Sequence, residues 1–206
     1  MAGKADLHIH TTYSDGKISP FEVLNLAVTK GLKAISITDH DTIKGYLKAE
    51  EILKSEQLPI ELISGAEFTA SFNDKDIHLL GYFFDPYHNE LSEYLTACSV
   101  QRRRRMKSMI DWLNKKNIEI DFQEVQAISK HATLARPHLA RVLVEKNYVS
   151  NHIEAFQRYL VAAHEETRQP YFLDANTLIA LVRRAGGAVI LAHPGKLFTQ
   201  QELEEI

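Results

Sequence analysis

The first predicted strand and the turn after it constrain this chain most, because they place two histidines and an acid close together. Successive strand residues point to opposite faces, so His8 and His10 project from one face. Leu7 and Ile9 are expected to pack on the other face. Asp15 follows in a Ser-Asp-Gly turn that can fold its carboxylate back over the strand end. The spacing indicates a metal site, although an isolated His-x-His is more often one core and one solvated histidine.

Residues of metal-ligand type recur wherever the later apolar runs stop. They are Thr38-Asp39-His40-Asp41, Gly65-Ala66-Glu67, His78 and Ala192-His193-Pro194-Gly195. In a βα barrel, the carboxyl ends of the strands meet at one face and carry the functional groups. We therefore expect these side chains to converge at strand ends.

Composition limits the class of protein. The 206 residues suffice for one domain, or one domain with an insertion, and no apolar run approaches the length of a membrane span. A strand follows directly on the first four residues, which predicts no signal peptide and a cytoplasmic protein. The single cysteine, Cys98, excludes an internal disulfide and is expected to be a packing residue. The net charge of −3 argues against stable binding of duplex DNA, although a local basic patch stays possible.

The first part of the chain alternates strands and helices. Ser19-Pro20 predicts a helix start, and Phe21, Leu24, Ala27 and Val28 form its predicted apolar stripe. The elements after it are a strand at 33–39, a helix at 42–56, a strand at 60–67 and a hairpin of 68–72 with 77–84. This β-α-β-α-β order predicts parallel strands with right-handed crossovers.

The middle of the chain has helical periodicity only and is read as a helical insertion. Its predicted helices span 89–116, 122–130, 137–147 and 152–161. A helix opening at Asp174, a strand at 188–192 and a helix at 199–206 follow, so the alternation resumes.

The ligand set favours phosphoester chemistry. Imidazoles and carboxylates without a thiolate suit Mn²⁺, Zn²⁺ or Fe²⁺, and the residues alone do not choose among them. The set exceeds what one ion needs, and Glu67, in the middle of it, could bridge two ions. Paired divalent ions are a common means of hydrolysing phosphate esters.

Seven motifs in order give a family resemblance. They are Asp6-Leu7-His8-Ile9-His10-Thr11, Ser14-Asp15-Gly16, Ile37-Thr38-Asp39-His40-Asp41-Thr42, Gly65-Ala66-Glu67, His78-Leu79-Leu80-Gly81, Arg136-Pro137-His138 and Ala192-His193-Pro194-Gly195. Together they resemble the PHP (polymerase and histidinol phosphatase) family. Within that family they resemble the bacterial branch of 3′,5′-nucleoside bisphosphate phosphatases and 5′-to-3′ exoribonucleases.

The resemblance implies an α/β fold, namely a distorted TIM-like βα barrel with an inserted helical subdomain. The implied segments are barrel at 1–88, insertion at 89–165 and barrel at 166–206. Two or three divalent ions are implied, with manganese expected. By position, His8 and His10 would hold one ion, Asp15 and His40 a second, and His78 and His193 a third, with Glu67 bridging the first and third.

The resemblance also implies substrate contacts and a substrate class. Arg102, Arg105, Arg136 and His138 would bind the phosphate of a small nucleotide or short oligonucleotide. His193 or His138 would assist proton transfer. The remaining arginines of the run, Arg103 and Arg104, are expected to face solvent, because the helical step spreads neighbours around the axis.

Several other polar residues receive structural interpretations. Asp41 is expected to cap the next helix, and Asp39 and Asp6 to orient the metal-binding histidines through their second ring nitrogens. Trp112 is interpreted as a core residue. The histidines without partners at ligand spacing, interpreted as structural or exposed, are His88, His131, His152 and His164.

The sequence departs from the family pattern after His193, where no Asp-x-His follows. The expectation is therefore a shortened form with one or two metal positions short of ligands. The stretch 165–170 also lacks the basic, glycine-containing character of relatives. Three alternatives stay open: a phosphatase of another metabolite such as histidinol phosphate, a non-catalytic metal-binding domain, and an amidohydrolase-like enzyme. The last is disfavoured because no lysine lies at a strand end. The sequence predicts no particular oligomeric state.

Overall fold

The computed structural model describes residues 4–73, 75–168 and 172–195. Its strands are β1 (Lys4–Ile9), β2 (Leu32–Ile37), β3 (Glu61–Ile63), β4 (Gly65–Phe72), β5 (Lys75–Tyr82) and β6 (Ala188–Leu191). Its helices are α1 (Pro20–Thr29), α2 (Lys44–Glu56), α3 (Asn89–Asn114), α4 (Phe122–Ser129), α5 (Arg136–Glu145), α6 (His152–Ala155), α7 (Val161–Glu166) and α8 (Ala175–Arg184). A π-helical turn, Phe156–Leu160, joins α6 to α7. The helix predicted at 199–206 lies outside the described residues.

The first sheet confirms the predicted parallel β-α-β-α-β unit. Its strand order is β1-β2-β3, and both pairings are parallel. Helix α1 begins at Pro20 because Ser19 and Glu22 form a reciprocal capping box. Buried residues of α1 and α2 pack over the fully buried Ile35 and Ile37 of β2. Strand β1, which carries His8 and is followed directly by His10, pairs with this buried strand.

Two packing predictions for this unit are wrong. Leu7 is 37% exposed, because β1 is the edge strand while both helices contact β2. Phe21 is 51% exposed, and Val23 takes its place on the buried face of α1. The predicted apolar stripe of α1 is therefore displaced by about half a turn at the start of the helix.

The second sheet is antiparallel, with strand order β4-β5-β6. The predicted hairpin is present, but the predicted strand at 60–67 is wrong, because the chain leaves the first sheet at Ser64. The Ser64 hydroxyl donates to the Phe84 carbonyl, and its own carbonyl accepts from the Phe83 amide. The strand after the helical insertion is also antiparallel to its neighbour, which the apparent return of β-α alternation did not predict.

The hairpin separates an apolar face from a polar face. Ala66, Phe68 and Leu79 point to one side and pack with α8 and the first turns of α3. Glu67, Thr69 and His78 alternate with them and therefore point to the other side. The polar face thus carries the functional groups of the second sheet.

A bridge joins the two sheets. His40 pairs with Glu67 in parallel register, the Asp41 amide donates to the Glu67 carbonyl at 2.9 Å, and the Glu67 amide donates to the Asp39 carbonyl at 3.3 Å. The chain after β2 is thereby held against the start of β4. Within the described ranges the strands form two open sheets and no closed barrel.

The helices from α3 to α7 share a hydrophobic core. The second half of α3 packs with α4, α5 and the α6–α7 segment around residues such as Met109, Leu113 and Leu139. The predicted helix at 152–161 continues through the π-helical turn to Glu166. Cys98 is buried, as predicted, and burial raises its pKa to about 12. In the part of the chain that the structure describes, no helix has the length and apolar character needed to cross a membrane.

Candidate metal centre and its cleft

Five histidines surround the carboxylate of Glu67. His8 Nε2 and His10 Nε2 lie 3.0 and 2.9 Å from Glu67 Oε2, and His40 Nδ1 lies 3.5 Å from the same oxygen. His78 Nδ1 and His193 Nε2 each lie 2.8 Å from Oε1. Asp15 completes this group, with its carboxylate 3.4 Å from His10 Nδ1 and 3.7 Å from His40 Nε2. We call these seven residues the candidate metal centre.

The structure therefore brings together all seven residues that the sequence suggested as metal ligands. Three groupings place one ligand atom each within 4.8 Å of the others: His8-His10-Glu67, His10-Asp15-His40 and His40-Glu67-His78. These groupings differ from the pairing that the resemblance implied, because His10 and His40 each belong to two of them. His193 contacts Glu67 and lies 3.3 Å from His78 Nδ1.

The prediction that every ligand lies at a strand end is wrong for two residues. His8 and His10 flank the end of β1, and His40 follows β2. Glu67, however, is the third residue of β4, and His78 lies in the middle of β5. An antiparallel hairpin runs across the site, so its central residues face the ends of the parallel strands.

Hydrogen bonds among buried polar groups hold the turn after β1. Asp39 accepts from the Thr11 amide and hydroxyl, both at 2.7 Å, and from the Ser14 hydroxyl at 2.6 Å. Ser14 Oγ in turn lies 3.3 Å from His10 Nδ1. Asp39 thus orients His10 through Ser14, not by the direct ring contact that we predicted. Asp6 contacts the backbone amide of His8 at 3.4 Å, so the predicted ring contact is wrong there too.

The electrostatic environment of the candidate metal centre favours the ionised form of the Glu67 carboxylate. Burial alone would raise the pKa of Glu67, but hydrogen bonds with His10 and His78 and the charges nearby lower this pKa well below its usual range. Burial, with the charge of Arg102, lowers the pKa of His40 well below its ordinary value. Burial would lower the pKa of His10, yet its hydrogen bond to Glu67 and the charge of Asp15 raise this pKa.

The donor set fits divalent cations. Histidine nitrogens and carboxylate oxygens converge without a thiolate, as expected for Mn²⁺, Zn²⁺ or Fe²⁺. His40 Nδ1 is buried and makes no hydrogen bond to any described residue. A buried ring nitrogen without a hydrogen bond is unfavourable in the metal-free protein, and coordination would satisfy it. The residues present therefore fit a metal site.

A cleft of about 630 Å³ opens beside the candidate metal centre. His40, His78 and His193 of the centre line it. Four arginines from α3, α5 and the segment after α7 line it too: Arg102, Arg105, Arg136 and Arg168. The structure thus places three of the four predicted substrate-phosphate residues in this cleft. Arg103 and Arg104 are exposed, as predicted.

Arg102 is held by an internal network. Its Nε donates to Asp41 Oδ2 at 2.6 Å, and its two terminal nitrogens donate to the Leu134 carbonyl and to Thr69 Oγ1, both at 3.0 Å. Asp41 also accepts from the Thr69 amide at 2.6 Å. The prediction that Asp41 caps α2 is therefore wrong, because the N-cap residue is Ile43 and Asp41 points at α3. At most two N–H groups of Arg102 are left for a ligand.

His138, the fourth predicted substrate residue, supports the start of α5. Its Nδ1 accepts from the Ala135 amide at 3.1 Å. Burial lowers the pKa of His138, against the opposing effect of the Asp15 charge. His138 thus lies near the metal centre, with one ring nitrogen already engaged.

Sequence reasoning missed three residues of the cleft. Asp76 lies two residues before His78 on the same face of β5, and it forms an ion pair of 3.1 Å with Arg105. His164, which we interpreted as structural or exposed, is buried against Arg105, and Arg168 reaches Asp76 at 3.4 Å. The alternation of Asp76 with His78 was the available signal. Nothing in local spacing pointed to His164 or Arg168.

Comparisons with known proteins match nearly the whole chain. A family model for the PHP domain matches residues 6–204. A 5′-3′ exoribonuclease of Haemophilus influenzae is 34% identical over 194 residues, covering 94% of this chain and 70% of the relative. A 3′,5′-nucleoside bisphosphate phosphatase of Chromobacterium violaceum is 26% identical, covering 93% and 67%. A solved structure from Bifidobacterium adolescentis, assigned as a metal-dependent phosphoesterase, has a TM-score of 0.82 at 29% identity, covering 100% and 74%. The chain thus spans about two thirds of the length of the first two relatives.

Proposed function

The chain belongs to the PHP domain family, and from this premise we propose that it is a metal-dependent phosphoesterase acting on nucleotides. The resemblance read from its motifs is confirmed by the family match and by both relatives. The proposed substrates are 3′,5′-nucleoside bisphosphates or the 5′ ends of short RNA. The proposed cofactor is two or three divalent ions, with Mn²⁺ expected.

One observation carries this proposal: histidines that contact the Glu67 carboxylate line the same cleft as four arginines. Histidine and carboxylate ligands would hold divalent cations. Guanidinium groups in the same cleft would hold anionic oxygens, since their planar fork matches phosphate geometry. A phosphorylated substrate is the ligand class that needs both.

The residues of this chain take the following roles in the proposal. His8, His10, Asp15, His40, Glu67, His78 and His193 would hold the ions. Bound ions would polarise the phosphate and lower the pKa of an attacking water molecule. Arg105 and Arg136 would orient the substrate, while Arg102 braces the wall of the cleft through Asp41.

Proton transfer is assigned to His193 or His138 in the proposal. The His193 side chain is more than half exposed beside Glu67, so it could exchange a proton with solvent. His138 experiences the charge of Asp15, and its Nδ1 is engaged by Ala135. A pH–rate profile of a variant at each position would separate the two.

The fold proposal goes with the functional one. We propose that the two sheets are parts of one distorted barrel, with segments 1–88, 89–165 and 166–206 as barrel, insertion and barrel. The His40–Glu67 bridge supports this, because it pairs the chain just after β2, the central strand of the first sheet, with β4 of the second sheet.

A substrate panel at fixed Mn²⁺ concentration tests the proposed function. We expect phosphate release from a 3′,5′-nucleoside bisphosphate or mononucleotide release from 5′-phosphorylated RNA, and slow turnover of histidinol phosphate. His8→Ala and Glu67→Gln should each reduce the rate at least a hundredfold, since both remove a ligand. The exposed His131→Ala is the matched control and should keep the rate. Unchanged rates in the two ligand variants would refute the proposal.

Metal counting separates the enzyme from a non-catalytic metal-binding domain. Two or three ions per chain with turnover would support the enzyme. A single ion without turnover of any panel substrate would contradict it.

A further inference from the structure

Asp76 is surrounded by two arginines and a histidine from α3, α7 and the segment after α7. Its Oδ2 lies 3.1 Å from Arg105 and 3.5 Å from His164 Nε2, and its Oδ1 lies 3.4 Å from Arg168. The positive charge of Arg136 also acts on this cluster, because it lowers the pKa values of Arg105 and His164. One carboxylate on β5 therefore faces groups from α3, α7 and the segment after α7.

These ion pairs differ from the neighbouring pair of Asp41 and Arg102. In that pair the contact is 2.6 Å and the Asp41 side chain has no exposed surface. The Asp76 contacts are 3.1 to 3.5 Å long, and its side chain is 18% exposed and lines the cleft. The Asp41 pair is a closed internal brace, whereas the Asp76 pairs are long and open to a ligand.

Asp76 does not neutralise its surroundings. The guanidinium groups in direct contact with Asp76 are those of Arg105 and Arg168. Two positive groups against one carboxylate leave an excess of one positive charge among the groups in contact. His164 adds none at neutral pH, because burial and the nearby arginines lower its pKa to about 4. An anionic phosphate is a ligand that this excess would attract.

The cluster is close to the candidate metal centre. Asp76 and His78 lie two residues apart on one face of β5, which corresponds to about 7 Å between their Cα atoms. Both side chains line the same cleft. A ligand in the cleft can therefore reach the metal centre and the cluster at once.

We propose that Asp76 is the resident counter-anion of a phosphate subsite formed by Arg105, Arg168 and His164, and that a phosphate of the substrate takes over its ion pairs. Asp76 is then a positioning residue: it holds mutually repelling arginines in place before the substrate arrives. It also weakens phosphate binding by its own charge. This inference rests on the proposed function for the identity of the substrate, but not for the binding of phosphate.

Asp76→Asn tests the inference by thermal shift with inorganic phosphate on metal-free protein. The variant removes one negative charge at nearly constant shape. We expect a lower melting temperature without phosphate, and phosphate binding tighter than that of the wild type on the order of tenfold, as Coulomb's law predicts for a charge about 5 Å away. Asp111→Asn, on the exposed side of α3, makes the same change in net charge and should bind phosphate like the wild type.

Several outcomes would overturn the inference. Phosphate binding by Asp76→Asn that equals or falls below that of the wild type would do so. Tight binding that persists in Arg105→Gln would place the phosphate elsewhere. If Asp76→Asn does not fold alone, phosphate must restore its fold, because it supplies the missing negative charge, and failure of this rescue would also overturn the inference.

The assay separates this inference from the proposed function. Tighter phosphate binding by Asp76→Asn in a protein without phosphoesterase activity would refute the proposed function and support the counter-anion. Phosphoesterase activity of the wild type with no change in phosphate binding by Asp76→Asn would support the proposed function and overturn the counter-anion inference.

Discussion

Removal of Arg102 is expected to destabilise the protein strongly. Its guanidinium donates to Asp41, Thr69 and the Leu134 carbonyl, and only 9% of its side chain is exposed. Arg102→Met keeps much of the side-chain volume but deletes all three hydrogen bonds. The Asp41 carboxylate then stays buried, and its remaining hydrogen-bond donors are the Thr69 amide and hydroxyl.

The magnitude follows from the burial of the pair. Breaking a buried ion pair from one side costs about 3–5 kcal/mol, because an uncompensated charge is left behind. A domain of ordinary stability has about 5–15 kcal/mol in total. Arg102→Met should therefore lose a large fraction of the free energy of unfolding, even if Arg102 never contacts substrate.

Urea unfolding of the metal-free protein measures this loss. Asp41→Asn should cost less than Arg102→Met, and the double variant should be more stable than the sum of the two single losses predicts, because neither charge is then left alone. Arg103→Met is the matched control on the exposed neighbour and should change the free energy of unfolding by at most about 0.5 kcal/mol. A loss below about 1 kcal/mol for Arg102→Met would refute the interpretation of Arg102 as an internal brace. It would favour a role for Arg102 in substrate binding alone.

Three further predictions concern the pH response and the supports of the metal centre. Because the folded pKa of His164 is about 4 and its ordinary value is 6.5, the unfolded chain binds the proton first, so stability falls as pH drops from 6.5 to 4. His164→Gln should retain about 1–3 kcal/mol of the free energy of unfolding that the wild type loses in this window, as measured by urea midpoints; parallel pH curves would contradict this. Gly45→Ala would place a Cβ 2.0 Å from Asp39 Oδ2 and should destabilise the protein by about 1–3 kcal/mol in the same assay, whereas wild-type stability would disprove the close approach. Ser14→Ala disconnects His10 from Asp39 and should weaken Mn²⁺ binding at least tenfold in calorimetry; equal affinity would show that His10 needs no such support.

Local patterns accounted for much of the fold. The capping box of α1 and the N-cap Asp174 of α8 lie where the sequence indicated helix starts. The parallel unit of β1, β2 and β3 followed from short alternating elements. These features depend on interactions within a few residues, so the sequence contains the information directly.

The residues of the candidate metal centre could also be predicted from the sequence, because their types are distinctive. The projection of His8 and His10 from one face follows from strand geometry alone. That Glu67 and His78 would meet them from the middle of a hairpin did not follow. It depends on the switch between sheets at Ser64 and on the bridge between His40 and Glu67.

The sequence by itself determined which elements form and which residue types could bind metal and phosphate. The tertiary structure decided what each buried charge does. Asp41 resembled a helix cap and instead braces Arg102. Asp76, unremarked in the sequence, faces side chains from α3, α7 and the segment after α7. The physical reason is that the partner of a buried charge is set by long-range packing, which brings together α3, α7 and β5 from distant parts of the chain, whereas helix caps and strand faces are set by near neighbours.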